Sequence, residues 1–428
     1  MFNVEKKVLD NGLRVVLAPM ENSEAVTIQM LVGVGSKNET KEISGISHFL
    51  EHMFLKGTSR RPNPGDIDNE LDKIGAEHNA FTSAELTGYW IKSSSNDFDI
   101  ILDILSDIIL NSLLKEEEVE KEKGVIFQEI NMNEDTPQRK IIDDFLALVF
   151  GDQPAGWSIA GDKISVGGIK RADIISYHNK NYSAKNMTMI VSGNIKNKEA
   201  LKKIDSFFKN FNAGVIIDSE KIKIAQESPR AKITDKKTDQ SHLVLGVTTF
   251  DMFDERRYAL NILSVILGGN TSAKLFMEIR QKLALAYSIW SSTWLQKDIG
   301  LLMIRAGLDN GKLDVAVKKI LEILSDLKNN GVSAKELEDA KSFLRGQMAL
   351  SLETSDQVAD FFGEQELFYG KMMQPEEILE KIEKVTQDDI LKVARDIFRP
   401  EKISMAVIGS HPDFSQKEEF YKNLLSKI

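Results

Sequence analysis

The chain contains no cysteine among its 428 residues, which excludes disulfide bonds and limits any metal site to nitrogen and oxygen ligands. It also lacks the roughly 18 consecutive apolar residues that a membrane-spanning helix needs, so no membrane span is expected. The first residues show neither the apolar core nor the small-residue cleavage site of a signal peptide. A cytoplasmic location is therefore the expectation.

Positive charge is in the minority, with 55 lysines and arginines against 65 acidic residues and a formal net charge of −10. A nucleic-acid partner is not expected, because affinity for phosphates rests on lysine and arginine. The hydrophobic fraction of 42% and the charged fraction of 28% are ordinary for a globular protein. The length suggests about two to three domains.

The order of predicted strands and helices repeats loosely between the two halves of the chain. The apolar strand at 187–193 near the end of the first half resembles the strand at 403–410 at the end of the second. A repeat of roughly 200 residues is too long for a solenoid unit and indicates two related domains. We predict a first domain over 1–215, a polar and lysine-rich linker over 216–240, and a second domain over 241–428.

The most informative motif is His48-Phe49-Leu50-Glu51-His52. We predict a helix from Ser44 to Leu55, with Ser44 as its N-cap. Histidines four residues apart on a helix share one face and can bind one metal ion. Glu51 lies close enough to reach a water on that metal and to act as a general base without being a ligand. The structural alternative is a pair of ordinary solvated histidines.

A catalytic zinc usually has three protein ligands, so a third ligand must come from elsewhere in the chain. Glu122 and Glu129 are seven residues apart, close to two helical turns, and therefore share a helix face. One of them could bind the metal while the other orients a ligand. Alternatively, both belong to a solvated helix face, since this region is dense in glutamate and lysine.

The order H-x-x-E-H is the signature of the inverted zinc peptidases, and the chain resembles the M16 family of zinc peptidases over nearly its whole length. The segments 35–39 and 54–58, which flank the motif, are also similar to family sequence. The resemblance implies that Glu129 is the third ligand and that Glu122 supports activity without binding zinc. The second half has no such motif, so one zinc ion per chain is expected.

The resemblance also implies the fold and the substrate-binding residues. The expected fold is α+β, with two homologous domains that each have a mainly antiparallel sheet and helices packed on one face. Asn79, Ala80, Phe81 and Thr82 resemble the family's edge strand, to which a peptide adds as another strand. Arg280 and Tyr287 resemble the family's Arg–Tyr element, which positions substrate and stabilises negative charge on the attacked carbonyl. Without the resemblance, these residues are ordinary strand and surface positions.

The predicted function is that of a zinc-dependent metalloendopeptidase that cleaves unfolded or short peptides. Family members of this length pair with a second two-domain chain, so a homodimer or a heterodimer with a related M16 chain is expected. The alternative is a non-catalytic structural or assembly subunit, although such relatives typically lose motif residues that this chain retains. A different zinc hydrolase reaction on the same ligand set is a further alternative.

Overall fold

The structure is a computed structural model, and it describes residues 2–428. The strands are β1 Glu5–Val8, β2 Arg14–Pro19, β3 Ala25–Val32, β4 Glu77–Thr82, β5 Thr87–Ser94, β6 Met187–Gly193, β7 Arg230–Asp235, β8 Gln240–Thr249, β9 Ala286–Leu295, β10 Gly300–Asp309 and β11 Ile403–Gly409.

The α-helices are α1 Ile46–Phe54, α2 Asp66–Lys73, α3 Phe98–Asn111, α4 Glu116–Asp135, α5 Pro137–Phe150, α6 Lys163–Gly168, α7 Arg171–Asn181, α8 Asn197–Phe208, α9 Arg257–Ser264, α10 Leu313–Asn330, α11 Ala334–Leu350, α12 Ser355–Tyr369, α13 Pro375–Glu383, α14 Gln387–Ile397 and α15 Phe414–Leu425. Two segments, Val265–Gly269 and Phe276–Lys282, are π-helical.

The chain forms two compact units, and each unit is assembled from three separate segments of sequence. The first unit contains the chain up to Asn131, then Trp157–Glu220 and Gln347–Glu376. The second unit contains Met132–Gly156, Lys221–Gly346 and Glu377–Ile428. Each unit is built on one sheet.

The sheet of the first unit has six strands in the order β1-β2-β6-β3-β5-β4. Only the β2–β6 pair is parallel, and the other neighbours are antiparallel. Alternate residues of the central strands face opposite sides, so that Val15 and Leu17 pack under most of the helices, including α1, α3 and α8. Val16 and Ala18 face the other side, where helix α12 covers them.

The sheet of the second unit has five strands in the order β7-β11-β8-β10-β9. It repeats the pattern of the first sheet, because its single parallel pair is β7–β11 and its other pairs are antiparallel. Helices α9, α10 and α14 pack on one face. Helix α5 covers part of the other face, where Phe145 packs with Val244 and Met303.

The structure confirms the predicted α+β class with two mainly antiparallel sheets of related topology. It adds one helix on the second face of each sheet, α12 in the first unit and α5 in the second. Strand β7 lies inside the stretch 216–240 that the sequence suggests as a linker. Ala231 and Ile233 on this strand are buried and alternate with polar residues, which is the two-residue period of a strand with one buried face. The division at 1–215 and 241–428 stays a prediction about the halves of the sequence.

Candidate active site

Helix α1 carries the histidine motif and is fixed by its apolar face. Phe49, Leu50 and Met53 are fully buried under the first sheet. His48 and His52 project from another face of the same helix, and their rings meet edge to face with centroids 4.6 Å apart. The spacing of four residues therefore places both histidines on one face of the helix, as the sequence predicts.

The helix begins later than Ser44, the predicted N-cap. Gly45 is the N-cap residue, with a φ of 94° that favours glycine, and a carboxylate six residues earlier in the chain caps the helix. Glu39 accepts hydrogen bonds from the backbone amides of Gly45 at 2.7 Å and Ser47 at 2.8 Å. The cap is therefore supplied by a side chain six residues before the N-cap and not by Ser44, and the N-cap lies one residue later than predicted.

Three ligand atoms form a small triangle at one end of the site. The Nε2 atoms of His48 and His52 are 3.3 Å apart. Glu129 Oε2 lies 3.7 Å from Nε2 of His48 and 3.5 Å from Nε2 of His52. Among residues 2–428, this is the one group of three such side chains whose ligand atoms all lie within 4.8 Å of one another.

The triangle fits a zinc ion. Zinc with bonds of about 2.0–2.2 Å in tetrahedral geometry separates its ligand atoms by roughly 3.3–3.6 Å, which matches the three observed sides closely. Two nitrogens and one carboxylate oxygen are also a donor set that zinc accepts, and they leave a fourth position for water. The side chains present therefore fit the metal that the sequence predicts.

Glu122 lies behind the triangle and orients one of its members. Its Oε1 is 2.8 Å from Nδ1 of His52, and its Oε2 is 2.9 Å from Nζ of Lys56. Burial raises the pKa of Glu122, but the hydrogen bonds from His52 and Lys56 outweigh it and lower this pKa below 4.5. Because a carboxylate can only accept, Nδ1 of His52 holds a proton and its Nε2 lone pair points into the triangle.

The two histidines differ in their electrostatic surroundings. Burial, together with the nearby His52, lowers the pKa of His48 to about 4. Burial also acts to lower the pKa of His52, but Glu122, Glu129 and Glu51 raise it above 6.5. His48 is therefore a neutral imidazole near pH 7, as a metal ligand must be.

Glu51 lies beside this group and bonds to the first sheet. Thr82 Oγ1 donates to Glu51 Oε2 at 2.5 Å. Burial raises the pKa of Glu51, Glu129 adds to this effect, and Thr82 and His52 oppose it. A carboxylate with a raised pKa, one residue from a ligand, is suited to accept a proton from water.

Strand β4 holds the four residues predicted to bind substrate. It is the last strand in its sheet, and Asn79, Ala80, Phe81 and Thr82 pair with Trp90, Tyr89, Gly88 and Thr87 of β5. Its other edge has no neighbouring strand among residues 2–428. The backbone amide of Ala80 donates to the side chain of Asn79 at 2.9 Å, so an incoming strand would replace that bond.

Arg280 and Tyr287 belong to the second unit. Arg280 lies in the π-helical segment Phe276–Lys282, and its guanidinium stacks over the ring of Phe276 at 4.8 Å. Tyr287 is in strand β9 and 61% exposed. Both residues belong to the segment 221–346 of the second unit, and their action on substrate stays a prediction.

Three contacts around the site were not predicted from the sequence. Lys56 bonds to Glu122 from the turn just after α1, where helical periodicity gives no signal. The cap from Glu39 and the buried ion pair between Lys37 and Glu85, at 2.7 Å, had no spacing signal. The ion pair joins segments 48 positions apart in sequence, and Glu39 reaches forward across six residues to Gly45.

Comparison with known proteins agrees with this architecture. The sequence profile described as Insulinase (Peptidase family M16) matches residues 14–163, and the profile described as Peptidase M16 inactive domain matches residues 168–344. A zinc protease of Bacillus subtilis is 34% identical over 408 residues, which cover 95% of this chain and 98% of that protein. A zinc protease of Streptomyces coelicolor is 31% identical over 420 residues, covering 96% of this chain and 90% of the relative.

A crystal structure of a protease from Helicobacter pylori superposes with a TM-score of 0.90. It is 24% identical and covers 96% of this chain and 100% of that chain, so it shows the shared fold. The fold is that of the two-domain peptidases, and the site groups two histidines and one carboxylate that could hold a metal ion. The chain belongs to peptidase family M16.

The profile for the inactive domain covers most of the second half, which agrees with the lack of an H-x-x-E-H motif there. No helix found in residues 2–428 combines the length and the apolar character needed to cross a bilayer.

Proposed function

We propose that the chain is a zinc-dependent metalloendopeptidase that cleaves unfolded or short peptides bound along strand β4. The observation that carries the proposal is the triangle formed by His48, His52 and Glu129, with Glu51 beside it. When bound, zinc would polarise the peptide carbonyl and lower the pKa of a water. One such site per chain is proposed.

Glu51 takes a proton from the attacking water and returns it to the leaving amine. Its raised pKa brings it closer to the working pH, while the hydrogen bond from Thr82 holds one oxygen and fixes the direction of the carboxylate. Glu122 keeps the proton of His52 on Nδ1 and so presents the other nitrogen to the metal.

Strand β4 supplies the substrate-binding edge. A peptide that adds to this edge is held by main-chain hydrogen bonds, which place little demand on its sequence but require it to be extended. Thr82, at the end of the strand, contacts Glu51, so the edge leads to the proposed general base. This continuity supports peptides as the substrate class.

Arg280 and Tyr287 are proposed to bind substrate and to stabilise negative charge on the carbonyl oxygen. The exposure of Tyr287 supports a role in binding, since a structural tyrosine on a strand is usually packed.

Pairing with a second two-domain chain, either identical or related, is proposed from the resemblance alone.

The test is the substitution Glu51→Gln in the full chain. It preserves the size of the side chain and an acceptor for Thr82, so zinc content measured by mass spectrometry should stay near one ion per chain. Hydrolysis of an unstructured peptide should fall about 10²–10⁴-fold, because the proton acceptor is lost. Glu117→Gln, at an exposed position on α4, is the matched control and should cleave normally.

Equal hydrolysis by the wild type and the Glu51→Gln variant would remove Glu51 as the base. A wild-type chain that binds zinc but cleaves nothing, alone or with a related chain, would favour the non-catalytic assembly subunit.

A further inference from the structure

Part of the second sheet carries polar side chains on the face that α5 covers only in part. On this face, Phe145 of α5 packs over Val244 and Met303 in the apolar area. Further along β10, beyond Met303, the apolar cluster ends, and Arg305 and Trp290 stand opposite each other in the register of β10 and β9. The change from apolar to polar takes place within one sheet face.

Arg305 is a partly buried arginine without an anionic partner. Its guanidinium forms no hydrogen bond or ion pair with any other residue in 2–428, and its Nε is buried without an acceptor. Burial alone lowers its pKa, whereas buried Arg61 bonds to three carboxylates. A guanidinium with an unfilled, desolvated donor is costly unless something accepts from it.

Further polar groups lie next to Arg305 around Gly307. Gly307 stands opposite Ser288 on β9 and His242 on β8, two positions along β10 from Arg305. A Cβ on Gly307 would meet Gln240 Oε1 at 2.9 Å and Ser288 Oγ at 3.2 Å, so these groups gather over the glycine. Within residues 2–428, the side chains of Gln240, His242 and Ser288 have no hydrogen-bond partner.

Trp290 provides an apolar wall beside this group. It is opposite Arg305 and 43% exposed, although β10, the strand that pairs with β9, is well packed. An indole next to a guanidinium lowers the local dielectric constant and strengthens attraction to an anion. It also offers a planar surface to a bound side chain.

We propose that Arg305, Gln240, His242, Ser288 and Trp290 form a carboxylate-binding subsite for peptides. Arginine matches a carboxylate with two parallel N–H donors, and one unpaired cation balances one negative charge. A phosphoryl group with a charge of about −2 would call for further cations. The identity of the ligand as a peptide rests on the proposed function, and the carboxylate is either an acidic side chain or the C-terminus.

The experiment measures peptide binding to the full chain with Glu51→Gln, which prevents cleavage. Four unstructured peptides of otherwise equal sequence are used, which combine two changes. The internal residue is either glutamine or glutamate, and the C-terminus is either a free acid or an amide. Binding is followed by calorimetry and by the fluorescence of Trp290, with Trp290→Phe as the spectral reference. We expect at least one carboxylate to tighten binding about tenfold.

The substitution Arg305→Met tests the assignment. We expect it to remove the preference for the carboxylate while leaving affinity for the neutral peptide unchanged, and we expect Arg305→Lys to retain part of the preference. Arg395→Met is the matched control, because Arg395 is exposed on α14, which packs on the opposite face of the sheet. A preference for glutamate over glutamine indicates a side-chain ligand, and a preference for the free acid over the amide indicates the C-terminus.

Equal binding of the four peptides by the Glu51→Gln chain, or a carboxylate preference that survives Arg305→Met, would overturn the subsite. Both results concern binding alone. Failure of the proposed function would instead appear as absent hydrolysis by the wild-type chain, whatever its binding preference. The Arg395→Met variant with Glu51 intact should hydrolyse the neutral peptide at the wild-type rate, and thermal melting of the Arg305→Met variant shows that it folds.

Discussion

Glu122 and Glu129 share one face of α4 but contact different atoms of the same histidine. Glu129 Oε2 is 3.5 Å from Nε2 of His52, whereas Glu122 Oε1 is 2.8 Å from its Nδ1. The two nitrogens of an imidazole point in different directions, so only Glu129 can share a metal with His48 and His52. Glu122 can act only through the ring.

This difference predicts opposite effects of two equivalent substitutions. Glu129→Gln removes a ligand charge, so zinc occupancy should fall strongly. Glu122→Gln removes only the partner of Nδ1, so most zinc should remain while peptide hydrolysis slows about 10–100-fold. Metal analysis and kinetics on dialysed samples measure the two effects.

Glu120→Gln, at an exposed position on the same helix, should change neither quantity. If Glu122→Gln lost more zinc than Glu129→Gln, the assigned roles of the two carboxylates would have to be exchanged.

The residue types of the site could be predicted from the sequence, but their contacts could be predicted only in part. Spacing alone placed His48 and His52 on one face and left Glu122 and Glu129 equivalent. The resemblance to a family then separated the two glutamates. The bond from Thr82 to Glu51 joins β4 to α1, and no pattern along the chain encodes a contact between residues 31 positions apart.

At the scale of elements, helix α1 depends on Glu39 for its start. Both oxygens of this carboxylate accept backbone amides, one from Gly45 and one from Ser47, which directly precedes His48. Burial raises the pKa of Glu39 from its ordinary 4.5 to about 8, against the opposing effect of these amides. The cap therefore couples the position of the histidine motif to one buried acid.

The substitution Glu39→Gln should destabilise the protein, because an amide group would face a backbone N–H that needs an acceptor. We expect a loss of about 1–3 kcal/mol in the free energy of unfolding at low pH. Since the pKa is higher in the folded state, the wild type's stability from protonated Glu39 is complete below pH 4.5 and is lost as the pH rises to about 8. The difference in melting temperature should therefore shrink as the pH rises above 4.5 and change sign before pH 8, because the pKa shift outweighs the loss at low pH.

Thermal unfolding of both proteins at several pH values measures this difference. Glu42→Gln, on the same loop but exposed, should melt like the wild type throughout. A difference that grows from pH 4.5 to 8 would show that Glu39 is ionised in the folded protein.

Element boundaries were predictable where local residues determine them. Met187–Gly193 is a strand with the predicted bounds, and Pro137 begins a new helix because proline lacks the amide that would continue α4. Strand β7 was interpreted as linker because its surroundings are rich in lysine. It is a strand because β11 pairs with it, which is a tertiary effect.

At the scale of the whole molecule, the two sheets repeat one topology, and each is covered on its second face by a helix from the other half of the sequence. Helix α12 lies between strands β10 and β11 of the second sheet in sequence but belongs to the first unit, and α5 precedes that sheet but belongs to the second unit. Amphipathic periodicity cannot identify the sheet on which either helix packs, because any apolar face satisfies it.

This arrangement predicts that the first half of the sequence does not fold independently. A fragment of residues 1–215 lacks α12, whose Val358 and Phe362 pack against Leu31 and Ile190 on the first sheet. Exposing each such side chain costs roughly 1.5–3 kcal/mol, which is a large part of the stability of a domain. The fragment should bind a hydrophobic dye and associate, as size-exclusion chromatography would detect.

A peptide of residues 347–376 contains all of α12 and should reverse these properties when it is added to the fragment, because it restores the missing cover. A peptide of the same composition in shuffled order is the control, since it keeps the charge and the apolar content but loses the face. If 1–215 were monomeric and melted at the temperature of the full chain, α12 would contribute little. The contiguous division predicted from the sequence would then describe the folding units better than the interleaved one.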